Sequence, residues 1–250
     1  MKTVLSLLLL FIQYTVMSQD INLLLKEADN FEHQFKEEDA LNKYKQVLLV
    51  DGNNSKALLK ATELSGSTGE RQINKNDKRI YFESGLAFAE RAVVADSSNP
   101  DAYYAKAFAC SKMTEIETDN KKLYGFVREV KINADKALHI NPNHAKANFM
   151  LGKWYYEISI MNEAKLKVAK TLYGGLPDAD LDKAILYLEK SRSIDQYYVL
   201  NALTLAKAYK ANNRPAPEIE VLKRVVKLPT RTFDDTALKA EAQKMLQDLE

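Results

Sequence analysis

Apolar and polar positions along the chain follow two different patterns. Val4 to Ile12 (VLSLLLLFI) is an almost unbroken apolar run behind the positive Lys2, followed by Val16-Met17-Ser18 and Gln19. That is the pattern of a secretory leader over residues 1–18, too short in its apolar stretch to span a membrane comfortably. No later stretch is apolar enough for a membrane segment. Farther on, apolar residues recur at helical spacing. Asp234 to Glu250 sets Leu238, Ala242, Met245, Leu246 and Leu249 on such a period, which predicts a terminal helix covering the apolar end of the molecule. Met161 to Leu176 aligns Met161, Ala164, Val168 and Leu172 on one face, with Lys165, Lys167 and Lys170 elsewhere around it. This predicts a basic amphipathic helix that packs back on its neighbours, or else rests on a membrane surface or a partner. Only 8 Gly and 6 Pro punctuate 250 residues, so long helices are expected rather than many short strands.

The pattern also repeats. Ala137-Leu138-His139-Ile140-Asn141-Pro142-Asn143, then Leu151-Gly152 and Tyr155, resembles the tetratricopeptide repeat, in which each unit is a helix A, a tight turn and a helix B. Leu205-Ala206 with Tyr209 repeats the helix A signature, and Asp96 to Tyr104 reads as another junction. Helix A anchors fall at Phe31, Ser65, Cys110, Tyr155 and Tyr209, and helix B anchors at Val47, Ala92, Ala137, Ser191 and Val225. Val47 to Ser65, Ala92 to Cys110, Ala137 to Tyr155 and Ser191 to Tyr209 are each 18 residues apart. From A to B the separations are 16, 27, 27, 36 and 16. The B-to-A joint sets how one unit stacks on the next, whereas a hairpin tip can grow at little cost to packing. Extra residues are therefore expected at the tips, around 66–79, 112–124 and 160–179, with the short A–B turns at Phe35 to Ala40 and Arg214 to Pro217. The fold expected is all-α: a tetratricopeptide-like α-solenoid of about five helical hairpins over residues 19–250, with a C-terminal capping helix.

The C-terminal half resembles a narrower family. Ala137-x-x-x-x-Pro142, Leu151-Gly152-Lys153-Trp154-x-Tyr156 and the insert Val168-Ala169-Lys170-Thr171-Leu172-Tyr173-Gly174-Gly175-Leu176-Pro177 are similar to the regulator of microtubule dynamics family. So are Leu181 to Leu188 (LDKAILYL), Leu205-Ala206-Lys207-x-Tyr209 and the tail Ala240-Glu241-Ala242-Gln243-x-x-Leu246. The resemblance implies a helical-repeat fold and, for eukaryotic members, association with microtubules or with contacts between organelles. Export would separate this chain from cytosolic tubulin.

Composition narrows the chemistry. A net charge of +2 argues against a dedicated nucleic-acid binder. Cys110 is the only cysteine, so no internal disulfide forms; it sits at a core-facing anchor and is expected to be buried and inert. There is no G-x-x-x-x-G-K-[ST], no G-x-G-x-x-G and no H-E-x-x-H. His139 and His144 flank Pro142 and read as a surface and a helix-terminal histidine rather than a metal pair, while Glu37-Glu38 and Asp234-Asp235 read as helix-start caps. No catalytic residue, metal, cofactor or small-molecule substrate is expected, and the chain reads as a non-enzyme.

What remains is a binding surface. The repeat register points Tyr104, Phe108, Lys146, Phe149, Lys153, Tyr156, Leu203, Lys207 and Lys210 into the concave groove lined by the A helices. Aromatic platforms beside lysines suit a peptide or protein partner of acidic character. The function expected is an exported, periplasmic or secreted scaffold module. The alternatives are a self-associating envelope protein and an accessory subunit of an enzyme.

Overall fold

The computed structural model describes residues 21–173 and 180–249; the predicted leader and Gly174 to Pro177 of the insert lie outside them. The chain divides into two compact units, Met1–Asp96 and Ser97–Glu250. The first holds α1 (21–33), α2 (Glu37–Val50), α3 (Ser55–Glu70) and α4 (Lys75–Ala95). The second holds α5 (Pro100–Met113), α6 (Asn120–Ile140), α7 (Ala145–Ser159), α8 (Glu163–Tyr173), α9 (Leu181–Ile194), α10 (Val199–Ala211), α11 (Pro215–Lys227) and α12 (Asp235–Gln247). The described residues contain no strand. Five A–B pairs are present, α1–α2, α3–α4, α5–α6, α7–α9 and α10–α11, and α12 packs on α10 and α11. The fold is thus a tetratricopeptide-like α-solenoid.

Every A anchor lies on α1, α3, α5, α7 or α10 and every B anchor on α2, α4, α6, α9 or α11. Nine are buried, including Cys110; Phe31 is half-buried. The constant joint has a local cause. Within the units, each B helix ends where the anchor carbonyl accepts its last backbone bond: Asp51 N to Val47 O at 2.8 Å, Asn141 N to Ala137 O at 2.8 Å and Asp195 N to Ser191 O at 2.9 Å. The next residue's backbone turns extended at φ −124°, −134° and −123°. Its side-chain Oδ1 then accepts the N–H two residues on, from Asn53 (3.1 Å), Asn143 (3.0 Å) and Tyr197 (3.1 Å). This Asx-turn takes a fixed number of residues and needs Asp or Asn at its head. The following A helix is capped by Asn54, or by His144, whose Nδ1 accepts from Ala147 N at 3.1 Å; Tyr198 starts α10 without a side-chain cap.

The two short hairpins share a second device. Phe35 and Asn213, each four residues past the A anchor, adopt φ of 57° and 53°. The next residue donates back to that anchor, Lys36 N to Phe31 O and Arg214 N to Tyr209 O, both at 2.9 Å. This closes each helix with a left-handed cap. Helices α2 and α11 accordingly begin at Glu37 and Pro215, inside the spans read from sequence as turns, and Pro215 opens α11 at a position where proline is tolerated.

The middle hairpins carry their extra residues around the expected tips, but mostly as helix rather than as a longer turn. Helices α4 and α6 are 21 residues long, against 14 for α2, so most of the added chain is helix. Helical extension satisfies its own backbone bonds, which a long projecting loop would not. In the fourth hairpin the insert forms α8, but its packed face is not the predicted one. Leu166 and Ala169 turn inward, Ala169 fully buried, whereas Ala164, Val168 and Leu172 are exposed. The Tyr124 hydroxyl donates to Lys165 O at 3.1 Å and ties α8 to α6.

Gly152 explains the Leu-Gly signature. A Cβ there would stand 2.7 Å from Leu188 Cγ and 3.0 Å from the Leu188 backbone nitrogen, so glycine is what lets α7 and α9 approach.

Candidate functional site

The predicted surface residues all belong to the second unit, on α5, α7 and α10, but they divide by burial. Tyr104, Phe149 and Leu203 are enclosed, at 3%, 3% and 1% exposure. Tyr104 stacks obliquely on Phe108 (6.2 Å) and His144 (5.3 Å), and Phe149 meets Tyr198 edge-on at 5.0 Å. These three are corrected from groove lining to core: the spacing that puts a residue on the inner face of an A helix also turns it toward the neighbouring helix. Phe108, Lys146, Lys153, Tyr156 and Lys207 are partly accessible, and Lys210 is exposed.

Lys146 lies 5.6 Å above the Tyr104 ring and Lys112 lies 5.8 Å from the Phe108 ring, both within cation–π range. Lys153 pairs with Glu157 at 2.5 Å, one turn along α7. Lys207 reaches Glu241 of α12 at 2.7 Å. The Tyr156 hydroxyl is pushed above its usual range by burial and by the nearby Glu157 and Glu241 carboxylates. The predicted basic face is therefore partly neutralised by carboxylates of its own unit, Glu157 and Glu241.

His144 bridges two elements. Since Nδ1 accepts the α7 cap bond, Nε2 carries the proton and donates to Asp101 at 2.9 Å. That bond, with Lys146 nearby, holds the Asp101 carboxyl below its ordinary range against the upward pull of burial. Glu37 bonds Ser67 at 2.8 Å and pairs with Arg71, and Asp235 accepts from Arg231 N, Thr232 N and Thr232 Oγ1 at 2.7, 2.9 and 2.7 Å. Glu37 thus ties α2 to the end of α3, while Asp235 closes the turn that leads into α12.

A second concavity was missed from the sequence. A cleft of about 310 Å³ opens between α5, α6, α7 and α8. Its walls include Leu123, Val127, Met150, Trp154, Ile158 and Met161, with Lys153, Glu157 and Lys165 among the polar lining. The Trp154 indole N–H donates to Val127 O at 2.8 Å and fixes the ring in the wall. Of this set only Lys153 was singled out by the repeat register. The others come from α6, α7, α8 and the turn before α8, and only the folded insert brings Met161 and Lys165 against α6.

Residues 24–250 match the family model described as regulator of microtubule dynamics protein 1-3. The chain belongs to that family. It is 26% identical over 237 residues to regulator of microtubule dynamics protein 3 of Bos taurus, covering 93% of this chain and 49% of the relative. It is also 26% identical over 180 residues to regulator of microtubule dynamics protein 1 of Mus musculus, covering 71% and 58%. The chain thus spans about half the length of these curated relatives. In fold it is similar to TTC0263, a thermophilic TPR protein of Thermus thermophilus, with a TM-score of 0.65 at 14% identity over 90% of this chain and 99% of that one. It is also similar to PilF of Pseudomonas aeruginosa, with a TM-score of 0.50 at 11% identity over 93% of each chain. These likenesses support a helical-repeat fold.

Proposed function

We propose that this member of the family is an exported, non-catalytic module that holds an acidic peptide or protein segment against the A-helix face of its second unit. The observation that supports the reading most directly is the accessible set Phe108, Lys146, Lys153, Tyr156, Lys207 and Lys210 on three successive A helices. An aromatic ring beside a lysine offers a flat apolar contact and a cation together, which suits an acidic segment with apolar side chains. The Glu157 and Glu241 pairs already on this face are partial copies of the interaction a partner would make. Export is supported by the leader pattern over residues 1–18.

Capture from cell-envelope extract, comparing the native chain with a Lys146→Glu, Lys153→Glu, Lys207→Glu variant, tests the reading. A partner retained by the native chain and lost by the folded variant is the expected result. Equal capture by both would remove the groove from consideration. Fractionation and N-terminal sequencing test export, with Gln19 expected as the first residue of the mature chain.

A further inference from the structure

The cleft between α5, α6, α7 and α8 offers what the A-helix face lacks, a depth that can enclose a side chain. Its volume, about 310 Å³, lies at the lower end of the range for ligand sites, roughly 300–1,000 Å³. That suits one or two bulky side chains better than a long chain or a large cofactor. Trp154, Met150 and Ile158 are almost entirely enclosed, so the cleft is a slot walled by fixed groups rather than a shallow dish.

Helix α8 extends the slot into a track. Met161 and Lys165 line it, and Val168 and Leu172 follow at the same helical spacing, both exposed. Leu166 and Ala169, on the adjoining face, hold the helix in place. Charge selects the occupant. Lys165, Lys167 and Lys170 stand on α8 against one carboxylate, Glu163. None of the three pairs with a carboxylate among the described residues. At the rim, Lys153 is already neutralised by Glu157, which leaves Lys165 as the cation beside the opening.

Building on the proposed interaction role, we infer that this cleft is the anchor pocket of the partner site: it takes one bulky apolar side chain of an acidic segment whose carboxylates face Lys165. The segment then runs along Val168 and Leu172. The anchor supplies affinity through apolar burial, and the lysine supplies the preference for acidic flanks.

Trp154 is the only tryptophan in the chain, so its emission reports on this wall alone. The native chain is titrated with tryptophan-free peptides of the form Ala-Ala-X-Asp-Asp-Ala-Ala, with X as Phe, Leu or Ala, and with a Lys-Lys counterpart. Phe and Leu peptides should change the emission saturably, and Ala should bind at least about tenfold more weakly. Lys165→Glu, an exposed site that leaves the core untouched, should weaken the acidic series and strengthen the basic one several-fold. Val127→Phe, checked for folding by circular dichroism, should narrow the slot and abolish the response.

No saturable response to any peptide would overturn the inference, as would a response blind to flanking charge and to Lys165→Glu. So would a response given only by phosphatidylglycerol vesicles, which would make this surface a membrane contact. Capture of the envelope partner separates the two proposals. Retention by Val127→Phe with loss in the Lys146→Glu, Lys153→Glu, Lys207→Glu variant keeps the A-helix face and discards the pocket. Equal capture by the native chain and both variants discards both.

Discussion

The two units use the same backbone devices and deploy their polar side chains in different ways. In the first, Tyr44 reaches from α2 to Asp29 (2.7 Å) and Glu32 (2.5 Å) of α1, and Lys56 and Lys60 of α3 close on the same carboxylates at 2.6 and 2.7 Å. Phenol, acids and bases satisfy one another across three helices. Lysines over aromatic rings occur in both units, at Phe31 and Phe82 in the first and at Tyr104 and Phe108 in the second, but only the second adds a cleft walled by Trp154 and three α8 lysines without a described carboxylate partner. A network that completes itself stabilises the hairpin stack; a surface left with unmatched charge and apolar depth can recruit something else. The repeat scaffold allows both, because the Asx-turn joints set the stacking without involving either face.

The largest effect is expected at Gly152. Gly152→Ala forces Leu188 and its backbone apart and should destabilise by about 2 kcal/mol, the overpacking cost less the gain in helix propensity. Gly85→Ala in the first unit meets Ser65 Cβ at 3.2 Å and should be nearly neutral. Thermal unfolding of both variants tests whether the helix crossing at Gly152 tolerates a Cβ less well than the one at Gly85; equal shifts would show that it does not.

Tyr44→Phe tests the self-completing network. Losing a buried hydroxyl bonded to carboxylates should cost about 1–2 kcal/mol, or several degrees in Tm. The same network carries an acid dependence. Burial pulls the Asp29 carboxyl upward, but the bonds from Lys56 and Tyr44 outweigh it and hold it below 3.8. The folded chain therefore binds that proton less readily than the unfolded one. The contribution is complete above the ordinary carboxylate range and is lost as pH falls through the lowered folded value. Tyr44→Phe should flatten that loss; an unchanged acid profile would show that the phenol plays no part in it.

The smallest effect is expected at Glu218 on α11, which is 3% exposed, with Oε1 unbonded among the described residues. Burial raises its carboxyl above 4.5, against the opposing pull of Lys210. A raised folded value means the group favours folding at low pH and costs stability as pH rises through it. Glu218→Gln should raise Tm by a few degrees at neutral pH, about 1 kcal/mol, with the gain vanishing below the ordinary glutamate range. A gain that persists in acid would trace to packing instead.

The number of hairpins, the helix carrying each anchor and the constancy of the joint were legible along the chain, because these rest on local rules. An Asp or Asn head and a cap fix the chain over a few residues, and left-handed closures at Phe35 and Asn213 do the same for the short turns. Leu-Gly at Leu151-Gly152 was legible for a similar reason: only a residue without Cβ fits against Leu188. Tertiary structure decided the rest. Helical periodicity defines a face but not which neighbour covers it, so Tyr104, Phe149 and Leu203 went to the core, and α8 packed on Leu166 and Ala169 instead of on the predicted stripe. The cleft was equally out of reach of the sequence, because its walls come from four helices that meet only after the fourth hairpin folds its insert back on α6.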